Sequence, residues 1–334
     1  MPLLPESPAT DIVDQVEVAI GRLDGVRHEI GRVIFGQERV VDETLITLLC
    51  GGHVLLVGVP GLAKTRLAAT LGIVLGMSQK RVQFTPDLMP ADILGSEVLE
   101  EGEGGRRSFR FIPGPVFCQL LMADEINRAS PRTQAALLQA MQEHVVTVAG
   151  QDHRLPQPFH VLATQNPIEQ EGTYPLPEAQ LDRFLLQVNV DYPDEAAERR
   201  MMIETTGRGI QPAQQVMTAR ELIDAQALVR RIPVGDRVVD TILRLVRAGR
   251  PGAASQSELA ELIGWGPGPR ASQALMLAVR VRALLQERLA PSVEDVVALA
   301  PPVLRHRMAL TFTARAEGVT LDRIIERLCG AIAG

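Results

Sequence analysis

An α/β domain built on a parallel sheet, followed by a domain of helices, is the fold class this sequence predicts. Three features predict it. The glycine loop Gly58-Val59-Pro60-Gly61-Leu62-Ala63-Lys64-Thr65 stands between an apolar run, 53–57, and a helical pattern, 66–75. Two further apolar runs, 118–123 and 159–163, end in polar residues, as buried parallel strands do at the edge that carries chemistry. Beyond Asp194 the apolar positions recur only at helical spacing.

Met1–Thr10 is proline-rich and is expected to start loosely. From Asp11 to Val33, apolar residues at Ile12, Val16, Ala19, Ile20, Leu23, Val26 and Ile30 predict a helix, with Thr10 or Asp11 as its cap. A short turn, Ile34-Phe35-Gly36, precedes a second apolar helix, Val40–Cys50. The strand at 53–57 then enters the glycine loop.

Strand, glycine loop and Lys-Thr at a helix start are the context of a phosphate-binding loop. Glycines let the backbone curl so that its N–H groups converge on phosphate oxygens, and the helix N-terminus adds a favourable dipole. The site residues expected are Gly58, Val59, Pro60, Gly61, Leu62, Ala63, Lys64 and Thr65, with Arg66 behind them. Lys64 is expected to bridge the β- and γ-phosphates of a nucleotide, and the Thr65 hydroxyl to hold Mg²⁺. Ala63 replaces the usual second glycine, and a small side chain is tolerated there at negative φ. Ile34, Phe35 and Gly36, earlier in the chain than the loop, are candidates for packing on the base; ordinary helix-on-helix packing is the alternative.

A second strand is predicted over Arg81–Thr85, followed by a loop and short helix to Gly95. Ser96–Glu100 and Arg106–Ile112 flank the acidic glycine turn 101–105 and read as a hairpin. The run Cys118–Ala123 ends in Asp124-Glu125, some 60 residues beyond Lys64. Asp124 is placed to hold Mg²⁺ through water, and Glu125 to polarise the attacking water. Ser130-Pro131 opens a helix to Glu143. A second hairpin follows around 149–152, then the strand Phe159–Ala163 with Asn166 just beyond it. Asn166 is a candidate for the γ-phosphate or its water; turn formation, the ordinary role of an asparagine at a strand end, is the alternative. A short helix from Pro177 to Phe184 and a last strand, Leu185–Val190, lead to a boundary at Pro193-Asp194.

This divides the chain into a helical segment, 1–33, an α/β core, 34–193, and a helical domain, 194–334, with 207–215 as a linker. Helices are expected at Glu195–Thr206, Ala219–Arg231, Gly235–Ala248, Pro269–Arg288, Val293–Ala300 and Thr320–Ile332. Arg270 stands at a helix start, where a cation opposes the dipole, so an anionic ligand or a surface carboxylate is expected beside it. Arg305-His306-Arg307 reads as a solvated helix face.

The net charge of −6 argues against a large nucleic-acid footprint, which needs a basic face. The three cysteines and six histidines show no metal-ligand spacing, and buried reduced thiols suit a cytoplasmic chain. No signal peptide and no membrane-spanning apolar run are expected.

Taken together, the stretches 58–65, 123–129, 163–167, 172–184 and 268–271 resemble the MoxR branch of the AAA+ ATPases, over nearly the whole chain. The resemblance implies ATP hydrolysis with Mg²⁺, a five-stranded parallel sheet and a small helical lid. An alanine at position 63 is usual in that family. It implies Asn166 as sensor 1, Arg270 as sensor 2, and Arg183 as an arginine finger reaching a neighbouring subunit's nucleotide. The hairpins correspond to inserts at about 95–113 and 145–158 that face a pore or a client. A hexameric ring is implied, acting on a protein client with a von Willebrand A-type domain or a metal or cofactor. Two other readings share these residues: the ATPase subunit of a metal chelatase and, against the charge, a nucleic-acid motor.

Overall fold

The computed structural model describes residues 8–101, 107–169, 172–207, 212–252 and 258–333. The start of the chain, the glycine turn of the first hairpin and the middle of the expected linker lie outside the described residues.

Helices α1 (Pro8–Gly31) and α2 (Glu38–Leu49) lead into strand β1 (Val54–Val57). Then come α3 (Lys64–Val74), β2 (Gln79–Gln83), α4 (Pro90–Leu94) and the hairpin β3 (Gly95–Glu101) with β4 (Arg107–Pro113). Strand β5 (Leu120–Asp124), α5 (Pro131–Glu143), the hairpin β6 (Val145–Val148) with β7 (Gln151–Arg154), β8 (His160–Gln165), α6 (Glu178–Leu181) and β9 (Leu186–Asn189) complete the α/β part. Thr10 and Asp11 already lie inside α1, so neither caps it.

Five strands form one parallel sheet in the order β2-β5-β8-β1-β9. Side chains alternate across it as the pleat requires. Val54 and Leu56 enter a core on one face with α1, α2 and α3, and Leu55, Leu121 and Val161 enter a second core on the other. The edge strand β2 is set two residues earlier than the expected 81–85. Its partner fixes this, because Gln79 pairs with Leu120 and Gln83 with Asp124. Lys80 and Arg81 are exposed on that edge.

Beneath the sheet lie buried histidines that must stay neutral. The His53 Nδ1 accepts from the Val161 amide at 3.0 Å, and its Nε2 donates to the Met141 carbonyl at 3.1 Å. Burial pulls its pKa down to about 3, and that of His160, which donates to the Gly52 carbonyl, to about 4. A folded-state pKa below the free value near 6.5 means that the unfolded chain binds the proton first as pH falls. The stability these histidines support is therefore present above pH 6.5 and lost on acidification towards pH 4. Each is expected to cost about 2 kcal/mol between pH 7 and pH 5, read as a lower urea midpoint.

The two hairpins are expected as separate inserts, but they pack on each other. Phe111 of β4 stacks on His153 of β7 with ring centroids 3.8 Å apart, and it meets Phe117 edge-on at 5.5 Å. Farther along the first hairpin, Leu99 pairs across the strands with Phe109, and both are exposed, at 53% and 70%.

The remaining elements are α7 (Glu195–Thr206), α8 (Ala219–Arg231), α9 (Asp236–Ala248), α10 (Glu258–Leu262), β10 (Ile263–Trp265), α11 (Pro269–Leu285), α12 (Val293–Leu304), β11 (Ala309–Leu310), α13 (Phe312–Ala316) and α14 (Leu321–Ala333). The region is helical, with one addition: β10 and β11 form a two-stranded antiparallel ribbon. Its central helix, α11, packs against α1, α2, α8, α9 and α12, so its core is continuous with that of the sheet's first face. The solvated face expected at 305–307 is corrected here. His306 and Arg307 are buried at 3% and 2% exposure, in a turn beneath β9.

Among the described residues no helix is long and apolar enough to cross a membrane, and no cluster of acidic, histidine and cysteine side chains could hold a metal.

Candidate active site

The glycine loop sits where β1 gives way to α3. The Gly58 amide donates to the Gln165 carbonyl at 3.2 Å, fastening the loop to the end of β8. A Cβ on Gly58 would stand 2.5 Å from the Val190 carbonyl oxygen, so this close approach to the end of β9 requires glycine. Gly61 has φ +87°, a conformation that glycine adopts freely. Ala63 departs from expectation: its φ is +56°, not negative. This left-handed residue costs about 1 kcal/mol and turns the chain into α3.

Helix α3 opens with no side-chain cap, which leaves the N–H groups of its first turn for a ligand at the loop. The loop, Arg81, Gln83, Asp124, Glu125 and Thr164 line a cavity of about 420 Å³. Lys64 is half-buried beside it, with its ammonium donating to the Gly58 and Val59 carbonyls. Desolvation lowers the Lys64 pKa, and the Asp124 and Glu125 carboxylates oppose that shift. Thr65 and Arg66 are exposed at the start of α3. An uncapped helix start, a lysine, a hydroxyl and a carboxylate at one cavity fit a nucleotide phosphate chain with a divalent cation.

The carboxylates are held by four residues that sequence reasoning did not assign. Thr164 of β8 donates its hydroxyl to Asp124 Oδ1 at 2.5 Å and accepts the Glu125 amide at 2.8 Å. Arg81 of β2 donates to Asp124 Oδ2 at 2.6 Å. Gln83, two residues on, donates to Glu125 Oε2 at 2.8 Å, and Arg128 reaches the same oxygen at 2.9 Å. Glu125 itself has φ +55°, which turns its side chain off the strand direction. A signal was available for Arg81 and Gln83. Alternate residues of a strand share a face, and this strand neighbours the one that ends in the acids. Replacing Thr164 with Val would leave the Glu125 amide without its acceptor. About 1–3 kcal/mol of stability is expected to be lost, with a lower rate of any hydrolysis at Glu125; denaturant unfolding and phosphate release measure the two.

Phe35 lies at a neighbouring cavity of about 240 Å³ that shares Pro60–Ala63 with the first and includes Tyr192 and Pro193. Arg200 of α7 covers the Phe35 ring at 4.9 Å. Gly36, at φ +65°, touches Ala197, whose Cβ would stand 2.3 Å from any side chain placed there.

The other expected residues do not line the loop cavity. Asn166 is buried past the end of β8, and its Oδ1 accepts the Ile168 amide at 3.1 Å. Arg183 and Arg270 are absent from the lining of the loop cavity and share another, of about 260 Å³, with Asp182, Phe184 and Arg307. The carboxylate expected beside Arg270 is present: Asp182 Oδ2 stands 3.7 Å from its guanidinium.

Known proteins resemble this chain along most of its length. Residues 53–186 match the model of an ATPase family associated with various cellular activities (AAA), and residues 256–328 match an AAA lid domain. The chain is 41% identical to Chaperone MoxR1 of Mycobacterium tuberculosis, over 93% of this chain and 82% of that protein. Protein MoxR of Methylorubrum extorquens is 32% identical over 85% of this chain and 86% of its own. The chain belongs to the MoxR family of AAA ATPases. A crystal structure of a candidate ATPase from Cytophaga hutchinsonii superposes with a TM-score of 0.88 at 35% identity, covering 96% of this chain and 97% of that one. Membership in that family implies ATP binding and hydrolysis, and the sheet and helical lid are the family's own.

Proposed function

We propose that this chain is a Mg²⁺-dependent ATP hydrolase that works as a ring and remodels partner proteins in the cytoplasm. One observation carries the reading. Lys64, Thr65, Asp124 and Glu125 gather at one cavity, while Arg183 and Arg270 line another. Phosphoryl transfer relies on positioning and on neutralising charge around the γ-phosphate, so the cations of one chain have a use at the nucleotide of the next. The site is then completed by two copies.

In this reading the loop amides and Lys64 bind the β- and γ-phosphates, and Phe35 and Gly36 flank the base. Thr65 and Asp124 would hold Mg²⁺, which would supply charge neutralisation on the phosphates. Glu125 orients and deprotonates the attacking water, held by Gln83 and Arg128, with Asn166 beside it. Arg183 of a neighbour stabilises charge as the bond to the γ-phosphate breaks, and Arg270 reports on that nucleotide. Core 34–193 and lid 194–334 are the working units, with α1 packed across both.

The relative named as a chaperone supports a protein client. The exposed Leu99–Phe109 pair on the joined hairpins offers such a client an apolar contact. A von Willebrand A-type domain, or an enzyme that needs a metal or cofactor, is the client class proposed. Steady-state phosphate release per chain is expected to rise with protein concentration as copies associate, in step with an ATP-dependent gain in mass by sedimentation. Constant specific activity across dilution, with a mass that stays monomeric in ATP, would overturn the ring.

A further inference from the structure

Arg307 is a large guanidinium side chain at 2% exposure. Its Nε donates to Asp182 Oδ1 at 2.7 Å. One terminal nitrogen donates to the Leu185 carbonyl at 3.0 Å and the Val303 carbonyl at 2.6 Å. The other donates to the Phe184 carbonyl at 2.7 Å and the Asp182 carbonyl at 3.4 Å. The fork therefore makes five bonds, four of them to residues 182–185, on either side of Arg183. His306 adds a fifth restraint, donating its Nε2 proton to the Phe184 carbonyl at 2.9 Å. The second oxygen of Asp182 faces Arg270. One carboxylate thus stands between the buried arginine and the lid arginine, next in sequence to Arg183.

Cohesion alone does not call for this arrangement. Burying an ion pair gains little over an apolar contact of the same volume. A planar five-donor fork does something an apolar contact cannot: it fixes several backbone carbonyls at defined angles. The segment it fixes carries Arg183, which has no carboxylate partner of its own among the described residues.

We propose that Arg307 is a positioning residue for hydrolysis: from the lid it holds, through Asp182 and the 182–185 backbone, the two arginines that one chain presents to its neighbour's nucleotide. This rests on the reading of Arg183 and Arg270 as acting between chains. It adds that the lid sets the aim of Arg183 through a single buried side chain.

The test uses the full-length chain. Arg307→Met keeps the apolar stem and removes the fork. Its kcat for ATP is expected to fall about 100-fold, the cost of an ångström-scale misplacement, while KM and the affinity for a fluorescent ATP analogue stay within about threefold. The informative readout is mixing. Arg307→Met chains retain their own loop and Glu125, so Lys64→Ala chains, with Arg183 in place, should restore turnover at shared interfaces. Arg183→Ala chains should not. A control mixture of Lys64→Ala with Arg183→Ala separates the two levels. If the control stays inactive, the arrangement between chains falls, and this proposal with it. If the control recovers while Arg307→Met turns over at the wild-type rate, or is slowed and not restored by Lys64→Ala chains, only the role of Arg307 falls. Should Arg307→Met fail to fold, Arg307→Lys, which retains the charge but not the fork, is read in the same mixtures with the same outcomes. Should that variant fail as well, Asp182→Asn takes its place.

Discussion

Glu125→Gln is expected to bind ATP as tightly as the unmodified protein and to hydrolyse it about 10²–10⁴-fold more slowly, the usual contribution of a positioned general base. The exchange is nearly isosteric. The amide oxygen of the new side chain can still accept from Gln83, which now donates to Glu125 at 2.8 Å, so the cavity keeps its shape. What is lost is the charge that takes a proton from water and that pairs with Arg128 at 2.9 Å. The loop, Lys64 and the uncapped start of α3 are untouched, so affinity should not move. Phosphate release in single turnover, set beside equilibrium binding of ATP, checks both halves. Turnover within a fewfold of the original would remove Glu125 from the chemistry. A parallel loss of affinity would instead assign it to nucleotide binding.

Arg183→Ala is expected to lower kcat by about 10³–10⁵, the scale on which an arginine supplied from a neighbour acts in phosphoryl transfer. The fold should tolerate the change. Arg183 is half-buried, and the flanking residues carry the packing: Phe184 is fully buried in the core, and Asp182 holds Arg307. Nucleotide affinity should be retained, because Arg183 does not line its own chain's loop cavity. Recovery of activity on mixing with Lys64→Ala chains separates a cation given to a neighbour from one that acts at home. A variant that hydrolyses ATP at the original rate would leave the second arginine-lined cavity without a role in turnover.

What was legible in the sequence was legible for local reasons. The loop at 58–65, the acids at 124–125 and the apolar runs before them are patterns of adjacent residues, and each dictates its own element. The parallel strands ending at one edge then bring the loop and the acids together. The φ of Ala63 was misjudged because spacing alone carries no torsion angle. Its sign is set by the route from Gly61 into α3. The two hairpins read separately because each closes on itself. Only the packing of one hairpin on the other, β3 beside β6, sets Phe111 against His153.

The largest misreading was Arg305-His306-Arg307. Three basic residues in a row satisfy every local rule for a solvated face. Arg307 is nevertheless buried, because its acceptors lie at Asp182, Phe184 and Leu185, more than 120 residues earlier in the chain. By itself, the sequence determined the strands that flank the loop and carry the acids, the loop and the acidic pair, since these depend on residue order within a few turns of chain. The tertiary structure alone decided which side chains hold the acids, where Arg183 and Arg270 stand, and that a buried arginine lies beneath them. Those contacts join distant segments, and partners that distant leave no spacing to read.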